Sequence, residues 1–169
     1  MKLLVFVALI ALTSCSQKIY VVRHAEKATP AANATQAEKS NPDLSTEGNV
    51  RAVVLQQRLS GQKVKSIYST NYKRTIQTAT PLANSNKIPI VTYHASMDSI
   101  VSLANRVKSN KKGNVLIVGH SNTIDNIANA LVGEKVVAAD IPETDYDNLF
   151  IIIRKGKKYS FKAGKYGGK

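Results

Sequence analysis

Short apolar runs alternate along the chain with segments whose apolar positions recur every three or four residues. "KIYVV" at 18–22, "SIYST" at 66–70 and "NVLIVGH" at 114–120 read as strands, the last apolar enough to be buried on both faces. "IPIVTY" at 88–93 reads as a shorter strand carrying Pro89. Between them, Val50 and Val54, then Leu55 and Leu59, fall four apart after an N-cap at Ser45 or Thr46. A second helix spans about 72–84, with Pro81 expected to kink it or end its regular bonding. A third, 97–108, sets Ile100, Leu103, Ala104 and Val107 on one face, and a fourth does the same with Ile124, Ile127, Ala128 and Leu131. "NLFIIIR" and "KYSFKA" around Gly156 predict a terminal hairpin, and 29–43 reads as a polar loop. Strands alternating with helices give an α/β sheet with crossover connections.

The first residues do not fit that pattern. Lys2, an apolar stretch over 3–12 too short to span a bilayer, and "LTSC" at 12–15 read as a bacterial lipoprotein signal peptide. Cleavage after residue 14 would leave Cys15 to carry lipid, with residues 15–169 forming one domain. Cys15 is the chain's one cysteine, so no disulfide forms within the chain. The expected location is that of an exported, membrane-anchored lipoprotein on the periplasmic or cell-surface side. Ser16, Gln17 and Lys18 separate Cys15 from the first strand by about 10 Å of extended chain, so the domain is expected close to the bilayer.

A formal charge of +13 on 169 residues admits nucleic acid, anionic membrane or phosphorylated substrates as partners. The lysines are spread along the sequence, with clusters at Lys111–Lys112 and 154–169, and aromatic residues are not interleaved with them as base stacking requires. Nucleic acid is therefore not expected, and a basic face against anionic lipid fits a lipidated chain.

Candidate chemistry lies where strands end, because open α/β sheets gather reactive groups at the carboxyl ends of their strands. The first strand ends in Arg23-His24, the second leads through "STNYK" to Arg74, and "NVLIVG" ends in His120-Ser121. Alone, each is more often a hydrogen-bonded structural residue or a solvated charge. Together they suit phosphoryl transfer. Guanidinium groups hold phosphoryl oxygens in pairs of hydrogen bonds, a neutral imidazole attacks phosphorus, and the surrounding positive charge keeps that imidazole neutral.

"VVRHAEKA", "LSTEGNVRA", "IYSTNYKRTIQTA", "LIVGHSNT" and "DYDNLF" in this order resemble the histidine phosphatase superfamily, which includes cofactor-dependent phosphoglycerate mutase. The resemblance implies a three-layer α/β/α sandwich with a mostly parallel sheet. It implies His24 as the transient phosphohistidine, with Arg23, Arg74 and His120 forming the phosphate pocket and Ser121 beside it. It further implies a phosphomonoester hydrolase that needs no metal or cofactor and acts on a small-molecule substrate.

Ala25 replaces the glycine of the usual Arg-His-Gly, Pro30 stands where the mutases have asparagine, and their long inserted substrate region is missing, so mutase activity is not expected. The proton donor to the leaving group is expected at Asp98, the one carboxylate between Arg74 and His120, or at Glu26. Asp145 and Asp147 stand behind them. Alternative readings are a phosphohistidine protein phosphatase and a lipid-anchored phosphate-binding module without turnover. A three-histidine zinc site of His24, His94 and His120 is disfavoured by the arginines beside it.

Overall fold

A computed structural model describes residues 16–167. The element order is β1 (Gln17–Arg23), α1 (Gln36–Ser40), α2 (Thr46–Leu59), β2 (Val64–Thr70), α3 (Lys73–Asn86), β3 (Ile90–Tyr93), α4 (Met97–Ser109), β4 (Asn114–Gly119), α5 (Ile124–Val132), β5 (Asn148–Lys155) and β6 (Lys158–Lys165). The signal segment and Cys15 lie outside the described residues.

The strands form one sheet in the order β3-β2-β4-β1-β5-β6. β1 to β4 are mutually parallel, while β5 runs antiparallel to β1 and β6 to β5. Alternation along the central strands sends side chains to two cores. Tyr20, Val22, Leu116 and Val118 pack under Leu55, Leu59, Ala79 and Leu82 of α2 and α3. Ile19, Val21, Val115 and Ile117 pack under Ile100, Leu103, Ile127 and Leu131 of α4 and α5. Both faces of the sheet are thus covered, which is why β1 and β4 read as unbroken apolar runs. This is the expected three-layer sandwich.

The helices start where the sequence placed them. Ser45 is the cap of α2, its hydroxyl accepting from the Gly48 amide. Pro81 does not end α3, which continues to Asn86. The buried face of Thr78, Ala79, Leu82 and Ala83 runs on through the proline, and its burial offsets the lost backbone bond. Inside the polar loop lies a short helix, α1, closed by a capping box between Thr35 and Glu38.

This topology opens a crevice at one point. From the adjacent strands β1 and β4 the chain departs in opposite directions, β1 toward β2 through α2 on one face and β4 toward β5 through α5 on the other. The loops at their carboxyl ends therefore separate, the arrangement in which open α/β sheets bind ligands.

Candidate active site

Arg23 is the last residue of β1, in register with Gly119 of β4, and is fully buried. The next residue, His24, donates its backbone amide to the Gly119 carbonyl at 2.9 Å and is 4 % exposed. Its Nδ1 lies 2.7 Å from the Ala25 carbonyl. A carbonyl only accepts, so Nδ1 carries the hydrogen and the lone pair is left on Nε2. Across the crevice His120 follows β4, its ring centroid 5.4 Å from that of His24. Its Nε2 is 2.9 Å from the Thr70 hydroxyl, which also bonds Thr75. Thr78 of α3 accepts from the Ala25 amide and donates to the Arg74 carbonyl, tying the histidine turn to the helix that carries Arg74.

The arginines are arranged differently. Arg74 rests on the Tyr72 ring, with its guanidinium carbon 4.6 Å from the centroid, and Tyr72 meets His120 edge-on. Arg23 lies beneath the loop between α5 and β5. It donates to the Pro142 carbonyl at 3.0 Å and to the Glu143 carboxylate at 2.5 Å, and it packs against the Tyr146 ring at 4.1 Å. Arg23 Nε and Arg74 Nε are buried and donate to no protein atom. His24, Lys27, Tyr72, Arg74, His120, Ser121 and Glu143 line one cleft of about 380 Å³.

Burial is the main reason that the His24 imidazole is pushed down to about 3, reinforced by His120, Arg74 and Arg23 and opposed by the Ala25 carbonyl. His120 is lowered to about 4, again chiefly by burial and then by the two arginines. His24 is thus neutral over the physiological range, with its Nε2 lone pair available as a nucleophile.

Of the sequence-predicted residues, the structure places His24, Arg74, His120 and Ser121 on one cleft, with Arg23 buried behind it and bonded to the Glu143 wall. It does not bring the two predicted acids into the cleft. Asp98 is exposed in the first turn of α4 and is not among the cleft residues. Glu26 turns away, both its carboxylate oxygens taken by Arg51 at 2.6 and 2.8 Å, and Arg51 also donates to the Gly167 carbonyl at 3.1 Å. Asp145 and Asp147 pair with Lys165, and His94 is exposed. The carboxylate in the cleft is Glu143, which bonds the Ser121 hydroxyl as well as Arg23. Sequence reasoning weighed Asp98, Glu26, Asp145 and Asp147 and passed over Glu143. The usable signal was antiparallel β5, whose approach loop must return to the catalytic edge.

A family model described as the histidine phosphatase superfamily, branch 1, matches residues 19–98. Over these residues the chain is similar to the histidine phosphatase superfamily. The match takes in the Arg23-His24 turn and Arg74, and the fold adds His120 from β4. No curated protein matches the sequence. Solved structures share the fold. A putative phosphohistidine phosphatase SixA from Agrobacterium tumefaciens superposes with a TM-score of 0.63 at 19% identity, over 90% of this chain and 99% of that one. A protein histidine phosphatase SixA complexed with tungstate gives 0.65 at 14%, over 88% and 97%. A mycobacterial glucosyl-3-phosphoglycerate phosphatase gives 0.63 at 12%, over 92% and 100%.

Proposed function

We propose that this protein hydrolyses small phosphomonoesters through a phosphohistidine formed on His24. The observation that carries the reading is the pairing of a neutral, oriented His24, its Nδ1 hydrogen committed to Ala25, with Arg74 and His120 in one cleft whose Glu143 wall holds the buried Arg23. The cleft volume suits a small ester.

In the first step His24 Nε2 attacks phosphorus, the ester P–O bond breaks, and the leaving oxygen takes a proton. Arg23, Arg74 and His120 hold the non-bridging oxygens, whose charge they stabilise as it redistributes. Glu143 is the carboxyl that supplies the proton. In the free protein it is held below the usual carboxylate range, first by the Ser121 hydroxyl and then by Arg23 and Lys27. A bound phosphoryl group draws Arg23 away from it and places negative charge beside it, both of which favour the protonated acid. In the second step the carboxylate takes a proton from water, the resulting hydroxide attacks phosphorus, and the P–N bond breaks. Phosphate leaves and His24 is neutral again.

The experiment is rapid acid-free quenching of the protein with a phosphorus-labelled aryl phosphate. Label retained on the chain in wild type and absent in His24→Ala is the expected result, with His24→Ala still binding inorganic phosphate. Full turnover in that variant would sink the mechanism. A phosphoprotein substrate carrying phosphohistidine, run in the same assay, separates the protein phosphatase reading. Binding of phosphate without any turnover would favour the non-catalytic module.

A further inference from the structure

The charges of this chain are spread along the sequence but not through the fold. Because β1 to β4 are parallel, their amino ends share one edge of the sheet, opposite the cleft. Lys63 and Lys65 open β2, and Lys111 and Lys112 precede β4. The β5–β6 turn, with Lys157 and Lys158, lies at the same edge because Arg154 is paired with Gln17. All six of these lysines are exposed. The crossover helices run back to this edge, and α2 and α4 end there in further cations, Arg58 and Arg106.

The carboxylates lie at the other end. Glu47, Asp98 and Asp125 sit in the first turns of α2, α4 and α5. Glu26, Glu38 and Asp43 follow β1, while Asp140, Glu143, Asp145 and Asp147 precede β5. Glu134, just past α5, is the one acidic residue at the basic edge. The ion pairs among the described residues all involve cations of the catalytic end or of the last strand's far end, and none involves a cation of the basic edge. The described chain also enters here: Gln17 opens β1 at this edge, directly after the apolar stretch of the sequence.

We infer that the edge formed by the amino ends of β1, β2 and β4 and the β5–β6 turn is a docking face for an anionic phospholipid surface. An unpaired, exposed and nearly acid-free field of cations attracts such a surface at close range, while at the catalytic end the carboxylates offset the cations and pair with Arg23, Arg51, Lys73 and Lys165. The orientation that results turns the cleft toward solvent. In the lipoprotein reading of residues 1–15, lipid on Cys15, two positions before Gln17, supplies the second, hydrophobic signal that stable anchoring requires.

The test uses the full chain and vesicles of phosphatidylcholine, with and without a third of phosphatidylglycerol, read by co-sedimentation. Binding to pure phosphatidylcholine reports the amino-terminal lipid, and the gain on adding phosphatidylglycerol reports the face. Lys63→Gln, Lys65→Gln and Lys112→Gln combined should reduce that gain at least about tenfold, given the attraction of each basic residue to an anionic surface. Lys39→Gln, Lys73→Gln and Lys162→Gln combined carry the same charge change away from the face and should keep most of the gain. Thermal midpoints within a few degrees of wild type certify folding in both. Raising salt to about 0.5 M should abolish the gain in wild type. Equal losses in the two triple variants, no loss in the first, or a loss of duplex DNA binding with vesicle binding unchanged would each overturn the proposal.

Discussion

Replacing Glu143 by glutamine separates the two things its carboxylate does in the proposed mechanism. In the free protein it occupies Arg23, whose side chain is 1 % exposed, although Glu143 itself is 70 % exposed. With one partner that open to water, the pair is worth about 1 kcal/mol or less. Glutamine should therefore tighten competitive inhibition by inorganic phosphate up to about fivefold, because the anion no longer has to displace a charge. Catalysis should move the other way. Loss of a general acid costs about 10²- to 10⁴-fold when the leaving group is an alkoxide that needs the proton. p-Nitrophenyl phosphate releases a stable phenolate, so its first step should fall less than about tenfold. Steady-state kcat and kcat/KM for a glycerol phosphate and for p-nitrophenyl phosphate, with phosphate inhibition on the same preparation, give the comparison. Equal losses in kcat/KM on both esters, a parameter set by the first step and not by the second step in which Glu143 serves both alike, together with weaker phosphate inhibition would refute the reasoning and reduce Glu143 to an anchor for Arg23.

Acidification should destabilise the fold through both cleft histidines. Their folded values, about 3 for His24 and about 4 for His120, lie below the unfolded value, so between pH 6.5 and these values the unfolded chain binds protons that the native one excludes. Urea melts from pH 7 to pH 5 should lose about 2 kcal/mol per histidine, and saturating phosphate should shrink the loss by stabilising the protonated forms. Thr70→Val removes the hydroxyl on His120 Nε2 while keeping the shape. It should lower kcat/KM about tenfold, with p-nitrophenyl phosphate as the assay substrate, and lower the thermal midpoint by a few degrees, because His120 Nε2 and the Thr75 hydroxyl lose a buried partner. Gly48→Ala places a methyl against the Glu26 carbonyl, two residues past His24. Denaturant melts should show a loss of about 1–3 kcal/mol, and turnover should fall with the displaced turn.

The fold was legible where one physical cause acted alone. Apolar runs at 18–22 and 114–120 could only be central strands, and Ser45 ahead of Thr46 marked a helix start that the Gly48 amide completes. The Thr35–Glu38 capping box was also written in the sequence but was hidden inside a polar stretch too short to show helical periodicity. Pro81 misled because the local rule against proline was outweighed by a tertiary one, burial of Leu82 and Ala83. In the site, Arg23, His24, Arg74, Ser121 and His120 were found because strand ends converge wherever a sheet is parallel. Glu143 was missed because its approach depends on β5 reversing direction, which no window around residue 143 encodes. The same limit concealed the charge asymmetry. Lysines at 63, 112 and 157 are far apart in sequence and become neighbours only once strand directions are known.

The two outer strands of the sheet differ from its centre in a way that matters for crowding. β3 has four residues and is preceded by Pro89, which has no amide hydrogen to offer, while β6 exposes Lys158, Lys162 and Lys165 along its length. Both borders are thereby poor templates for adding a strand from another molecule. On the lipid surface proposed above, where diffusion in two dimensions raises the frequency of side-on encounters, this would protect against sheet-to-sheet polymerisation. It lets many copies lie side by side with every cleft open.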